Sequence, residues 1–220
     1  MNLSISSEQL AEYVARQIEN TFPDGNIPRV PIKNYVLKAL ERVEFCFSHI
    51  KVKHYSSAGG ANFNHLHSGQ YTTFLYFLSN TIWKLSGDDG MATKIYYLNK
   101  SLHAVDVFYQ VELPDIFFFE HPVGMVLGRA KYSNYFVAYQ NCSVGGNLDL
   151  EYPIFDEGVA LMAGATVIGN CHIKKNCWVS AGTLIMNTSS IEDQIVVGRH
   201  PNVAFKPAAH EVKEHFFEEL

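Results

Sequence analysis

Two kinds of hydrophobic spacing divide this chain. In the first half, apolar residues return every three or four positions, at Leu10, Tyr13, Val14 and Ile18 and again at Val36, Leu40, Val43 and Phe47, which predicts amphipathic helices. Ser6 stands three residues before Gln9, the spacing of a reciprocal N-terminal cap, and Pro31 suits the first turn of the second helix. The apolar stretch from Tyr71 to Leu85 is broken by Thr, Ser, Asn and Lys and falls short of the ~20 apolar residues of a membrane span, so it reads as a buried helix over 70–86. The GDDG turn at 87–90 separates it from a further helix over 91–109. The segment from Ser56 to Gly69, rich in Gly, Ser and Asn, reads as a loop.

Helical spacing stops near Glu112 and β-branched residues rise, so the boundary between two domains is expected near residue 110. Written in sixes, residues 159–188 are VALMAG, ATVIGN, CHIKKN, CWVSAG and TLIMNT. Every third position is aliphatic (Leu161, Val167, Ile173, Val179, Ile185), and every sixth is Gly, Asn or Thr. A strand of a few residues followed by a sharp bend needs one bulky apolar group pointing inward and small or turn-forming residues at the bend. Such coils bury little alone and are stable only when stacked. With three faces per coil, Leu161 should stack on Val179, Val167 on Ile185 and Ala163 on Ala181. The prediction is an α+β chain: a helical N-terminal domain over 1–110, a parallel β-helix over 111–207 and a C-terminal tail over 208–220.

Composition narrows the function. A net charge of -5 without long basic runs argues against nucleic-acid or anionic-membrane binding and leaves a small-molecule substrate as the default. No basic stretch followed by an apolar core opens the sequence, so a cytoplasmic location is expected. Cys46, Cys142, Cys171 and Cys177 show neither CxxC pairing nor zinc-site spacing, and read as reduced, mostly buried thiols with no metal.

The residues from about Gln110 to Pro207 resemble the serine acetyltransferase branch of the left-handed β-helix acyltransferases. The resemblance is carried by EHPVGMVLGRA (120–130), CSVGG (142–146), the five sixes and VVGRHPNVAFKP (196–207). It implies a left-handed β-helix, acetyl-CoA as cosubstrate, a small-molecule acceptor, and a homotrimer or a higher assembly of trimers. It also implies roles. His121 would be the general base for an acceptor hydroxyl or amine, a task that suits a group titrating near working pH. Glu120 matches the family's acid and Asp106 is a second carboxylate candidate. Gly145, Gly146, Ala163 and Ala181 match positions that line the pantetheine arm, where small residues leave backbone amides open, and Lys206 is a candidate partner for the CoA phosphates.

The sequence departs from the family pattern in three places. Glu151-Tyr152 before Pro153 replaces an Arg-His pair that holds the acceptor, and an acidic residue would repel a carboxylate, which argues against L-serine. One six-residue step is missing between ELP (112–114) and Glu120-His121. The turn after the helix is Gly198-Arg-His-Pro201 rather than Gly-x-Pro-Ala. Two other readings stay open on the residues: a non-catalytic scaffold or binding module, and a zinc enzyme of carbonic anhydrase type. The latter finds only His172 within the sixes and a His-Leu-His at 65–67 in the expected loop.

Overall fold

In a computed structural model, which describes residues 1–25, 32–57 and 59–218, the reciprocal cap forms as the spacing predicts. The Ser6 hydroxyl accepts from Gln9 N and the Gln9 side chain accepts from Ser6 N, starting helix α1 (Ser7–Thr21), which follows a short strand β1 (Asn2–Leu3). Helix α2 (Ile32–Ser48) buries Val36, Leu40, Val43 and Phe47 on one face. Pro31, expected in its first turn, lies outside the described residues.

The expected loop over 56–69 is largely ordered secondary structure. Strands β2 (Ser56–Ser57) and β3 (Gly60–Phe63) form a hairpin, and β3 pairs in parallel with β1, burying Ala61 and Phe63 and turning Asn62 outward. The hairpin escapes a periodicity reading because it is only a few residues long and its third strand comes from the N-terminus. Helix α3 (Ser68–Ser86) is buried from Gly69 to Ile82, as its composition predicts, and ends at Gly87 in the left-handed conformation (φ 66°). Helix α4 (Asp89–His103) stops six residues short of the expected end. Ala104 (φ 54°) turns the chain into an extended run in which Val105, Val107 and Tyr109 are buried alternately, a period of two rather than 3.6.

The sixes build stacked coils. The first coil is β4 (Phe117–Phe119), β5 (Val126–Leu127) and β6 (Lys131–Tyr132). The second is β7 (Phe136–Ala138), β8 (Ser143–Gly145) and β9 (Ile154–Phe155). The third is β10 (Ala160–Leu161), β11 (Thr166–Ile168) and β12 (His172–Ile173), and the fourth contributes β13 (Trp178–Val179) and β14 (Leu184–Met186). A hairpin of β15 (Gln194–Arg199) and β16 (Asn202–Pro207) closes the stack, with β15 pairing both β13 and β14. Corresponding strands pair in parallel, making a three-faced left-handed β-helix, and Leu161 lies on Val179 and Val167 on Ile185 in the expected register.

Bends follow the residues that tolerate positive φ. Gly124, Asn141, Gly164 and Gly182 turn the edge between the first and second faces; Gly169 and Asn187 turn the next edge; Tyr135, Gly158, Asn176 and Asp193 turn the third. The first-coil end of the stack is sealed by rings. Phe77 and Tyr76 of α3 pack on Phe117, at 5.3 and 5.9 Å between centroids. The C-terminal segment is not a loose tail: α5 (Val212–Phe216) lays Phe216 between Phe118 and Trp178, and Trp178 Nε1 donates to His210 O.

Candidate active site

The edge between the first and second faces carries the candidate base. Nine positions separate Phe118 from Leu127 in the first coil, against seven from Val137 to Val144 in the second, although each pair stacks in register. The surplus forms an expanded corner at Glu120–Gly124. His121 sits in it with φ 48°, a conformation that a non-glycine residue adopts only where the surrounding structure enforces it. That enforcement is visible: Glu120 N donates to Ala138 O, Asn141 N to Val123 O, and Gly124 N to Ala104 O at the end of α4. The His121 side chain is 75% exposed, and its Nε2 lies 3.2 Å from Glu120 Oε1.

Glu120 is therefore the carboxylate that meets His121. Asp106 is engaged elsewhere. It bridges Val126 through its backbone, and its carboxylate accepts from Tyr96 Oη and Lys100 Nζ, each at 2.5 Å. Burial pushes its pKa up, but the hydrogen bonds from Lys100 and Tyr96 and the Lys100 charge outweigh it, and the net shift is downward.

Ala163 and Ala181 lie along the same edge as His121, and Gly182 N donates to Ala163 O from one coil to the next. Gly145 and Gly146 lie at the opposite edge of the second face. A Cβ on Gly145 would meet only Ile168 Cδ1 at 3.6 Å, whereas one on Gly146 would strike the Tyr152 ring at 2.8 Å. Tyr152 and Glu151 belong to a loop inserted at that edge: eleven positions run from Val144 to Phe155, against six from Val167 to Ile173. Glu151 is fastened there, with Asn170 Nδ2 donating to one carboxylate oxygen and Asn147 Nδ2 to the other. Tyr152 lies against the Arg129 guanidinium, 5.6 Å from the ring centroid. The chain thus joins His121 with Glu120 and aligns both alanines with them, while Glu151 and Tyr152 sit across the face. Lys206 is exposed on β16 opposite Ile195, at the end of the first face.

Three residues near this edge were not among the candidate site residues. Arg199 donates to Gly182 O at 3.1 Å, bringing a cation closer to the alanine line than Lys206. His67 caps α3, its Nδ1 accepting from Gln70 N at 3.3 Å, with the His54 ring 6.2 Å away. Burial, then the charge of His54, lowers the His67 pKa, while Glu120 lies close enough to act in the opposite sense. The signal was available: His67 precedes Gln70 by the same interval that makes Ser6 a cap for α1.

A cavity of about 600 Å³ opens at the edge between the third and first faces, lined among others by Lys51, Tyr135, Asn176 and Phe217, and holds none of the candidate residues. Among the described residues no three His, Cys, Asp or Glu side chains are grouped to hold a metal ion, and no helix is long and apolar enough to cross a membrane.

A helical region followed by a left-handed parallel β-helix is a fold the chain shares with solved serine acetyltransferase structures. In sequence, too, the chain is similar to serine acetyltransferases. It is 28% identical to the serine acetyltransferase of Synechococcus elongatus over 114 residues, 50% of this chain and 46% of that one. The chain spans under half the length of the curated relatives it matches. A serine acetyltransferase structure from Vibrio cholerae superposes with a TM-score of 0.71 at 17% identity, covering 93% of this chain and 80% of that chain. The Brucella abortus enzyme in complex with coenzyme A gives 0.71 at 16% identity, over 94% and 84%. At such identity the superpositions speak for the fold. No protein-family model matches.

Proposed function

We propose that this chain is an acetyl-CoA-dependent O- or N-acetyltransferase that passes the acetyl group directly to a small polar acceptor. The observation that carries the reading is the Glu120–His121 contact, held in an enforced turn at one end of the edge that bears Ala163 and Ala181. His121 takes the proton from the acceptor hydroxyl or amine as its oxygen or nitrogen attacks the acetyl carbonyl. Glu120, 3.2 Å from the ring, stabilises the imidazolium that forms. As the carbon–sulfur bond breaks, the proton passes from His121 to the departing CoA thiolate, which restores the neutral base.

The chain's own residues suit such a cosubstrate. Backbone groups at Gly145 and along the alanine edge are open to close approach, and Arg199 supplies a charge for phosphates beyond Gly182, with Lys206 further out. The acceptor belongs among amino acids, sugars and nucleotide-sugars. Glu151, negatively charged and fastened by two asparagines, offers no clamp for a carboxylate, which disfavours L-serine. The reading includes a cytoplasmic homotrimer, or an assembly of trimers, which would bring the Glu151 loop of one chain towards the His121 edge of another; light scattering on the purified protein tests it.

The direct assay is thiol release from acetyl-CoA across a panel of amino acids, amino sugars and nucleotide-sugars. Turnover with one class is expected. Tight binding of acetyl-CoA with no turnover on any acceptor would instead favour the non-catalytic module, and a preference for L-serine would overturn the argument from Glu151.

A further inference from the structure

The Glu120–His121 corner can be approached from two sides. The residues assigned above to acetyl-CoA lie on one of them, along the edge and the second face. The other side is the outer surface of the first face. There Glu120 N donates to Ala138 O and Tyr139 N to Leu161 O, which stacks Glu120, Tyr139 and Met162 in one outward column. The segment of the helical half that ends in His67 stands over this side. The Tyr55 ring packs edge-on against Phe118 of the first face, 5.3 Å between centroids, and against the His67 ring at 5.5 Å. A Cβ on Gly69 would meet Tyr55 Oη at 2.7 Å, and His67 Cε1 and Phe119 O at 3.5 Å each. Those three atoms surround one point, so the imidazole lies close to the backbone that leads into Glu120.

Two hydrogen-bonding groups on this side have no partner among the described residues. His67 Nδ1 accepts from Gln70 N, so the neutral ring carries its proton on Nε2, and none of those residues accepts from that N–H. Burial, then the charge of His54, holds the His67 pKa below the usual imidazole value and keeps the ring neutral at working pH. The Tyr139 hydroxyl likewise bonds to none of them, and burial, then the Glu120 charge, raises its pKa and keeps it protonated. The Tyr139 ring lies edge-on to Phe216 at 6.3 Å. Neutral N–H and O–H groups set among aromatic rings match an uncharged compound with several hydroxyls. A carboxylate or an ammonium taken out of water needs an opposite charge, which neither group supplies, and Glu120 is already engaged by His121.

We infer that the acceptor is a sugar bound on the first-face side of the corner, with His67 Nε2–H donating to the hydroxyl next to the group that His121 deprotonates. The inference rests on the acetyltransferase reading above and narrows its acceptor. The reacting oxygen or nitrogen bonds to the acetyl carbon, and its proton passes to His121 and then to the CoA thiolate. One position of the sugar ring thus meets the base while its neighbour meets a donor fixed by the cap of α3, which selects the position that is acetylated. Tyr139, one coil beyond Glu120, meets a further hydroxyl. His67 binds and positions the sugar and takes no part in the proton transfer.

The test measures thiol release from acetyl-CoA with the amino sugars and nucleotide-sugars of the panel, and with monodeoxy forms of the sugar turned over fastest. For the wild-type protein, removing a hydroxyl next to the reacting group should lower kcat/KM about tenfold, the worth of one neutral hydrogen bond. In His67→Ser, and in His67→Thr as a second variant, a hydroxyl still caps α3, so the thermal midpoint and the acetyl-CoA affinity should hold. The discrimination against that deoxy sugar should vanish in both, a readout that a merely structural histidine would leave in place. A wild-type protein indifferent to every neighbouring hydroxyl overturns the inference, and needs no variant to fold. Folded variants that discriminate as strongly as the wild-type protein, or that lose all turnover, overturn it too. A wild-type protein that acetylates only amino acids overturns it while leaving the acetyltransferase reading standing. Absence of turnover on every acceptor refutes that reading, and the inference with it.

Discussion

Gly145 and Gly128 look alike in the sequence and are there for different reasons. A Cβ at Gly128 would stand 2.7 Å from the carbonyl oxygen of Val144, part of a backbone that cannot give way. Gly128→Ala should therefore destabilise the protein by about 1–3 kcal/mol in urea denaturation. At Gly145 the added methyl meets only the flexible end of Ile168, and the fold has no need of glycine. Gly145→Ala is expected to change stability by less than about 0.5 kcal/mol while weakening acetyl-CoA binding, the pattern of a residue kept small for a ligand. Titration also exposes single residues. Burial drives the His103 pKa down to about 4, whereas the unfolded chain binds that proton near 6.5. The unfolded state thus holds more protons between those values, so the His103 contribution is complete above about pH 6.5 and is lost as pH falls towards 4. Replacing His103 with Gln should flatten the decline in urea midpoint over that range.

At the scale of elements, legibility followed regularity. The five sixes could be read because each six from Val159 onward puts one aliphatic residue at the same station, and the register they imply is the one observed. The first two coils could not be read in that way. An expanded corner at Glu120–Gly124 and the inserted loop at 147–151 break their period, and Phe117, Tyr132, Phe136 and Phe155 fill the interior in place of aliphatics. The end of α4 was overrun for a related reason: Val105 and Tyr109 continue the helical count of Leu98 and Leu102, but Ala104 turns the backbone left-handed before them. The hairpin over 56–63 depends on a strand nearly sixty residues away, which no local pattern reports. Stacking also sets what a core substitution costs. Ile173 is fully buried between coils, and Ile173→Ala should lower stability by about 2–5 kcal/mol in urea denaturation.

At the scale of the whole molecule, the candidate site depends on both halves. The residue types at Glu120 and His121 were legible in the sequence; their geometry was not, because the turn that presents them is held by Ala138, Val123 and the end of α4. The helical half adds His67 at the same corner and seals the coils beneath it with Phe77 and Tyr76, so the cap and the β-helix together build the candidate edge. The claim that stands above the others is that His121 is the base. It is tested most directly by measuring thiol release from acetyl-CoA, with the best acceptor of the panel, for the wild-type protein and for His121→Ala, alongside acetyl-CoA affinity of both. Release should fall by at least about a hundredfold, with the affinity nearly unchanged. Turnover by His121→Ala at the wild-type rate would contradict the account.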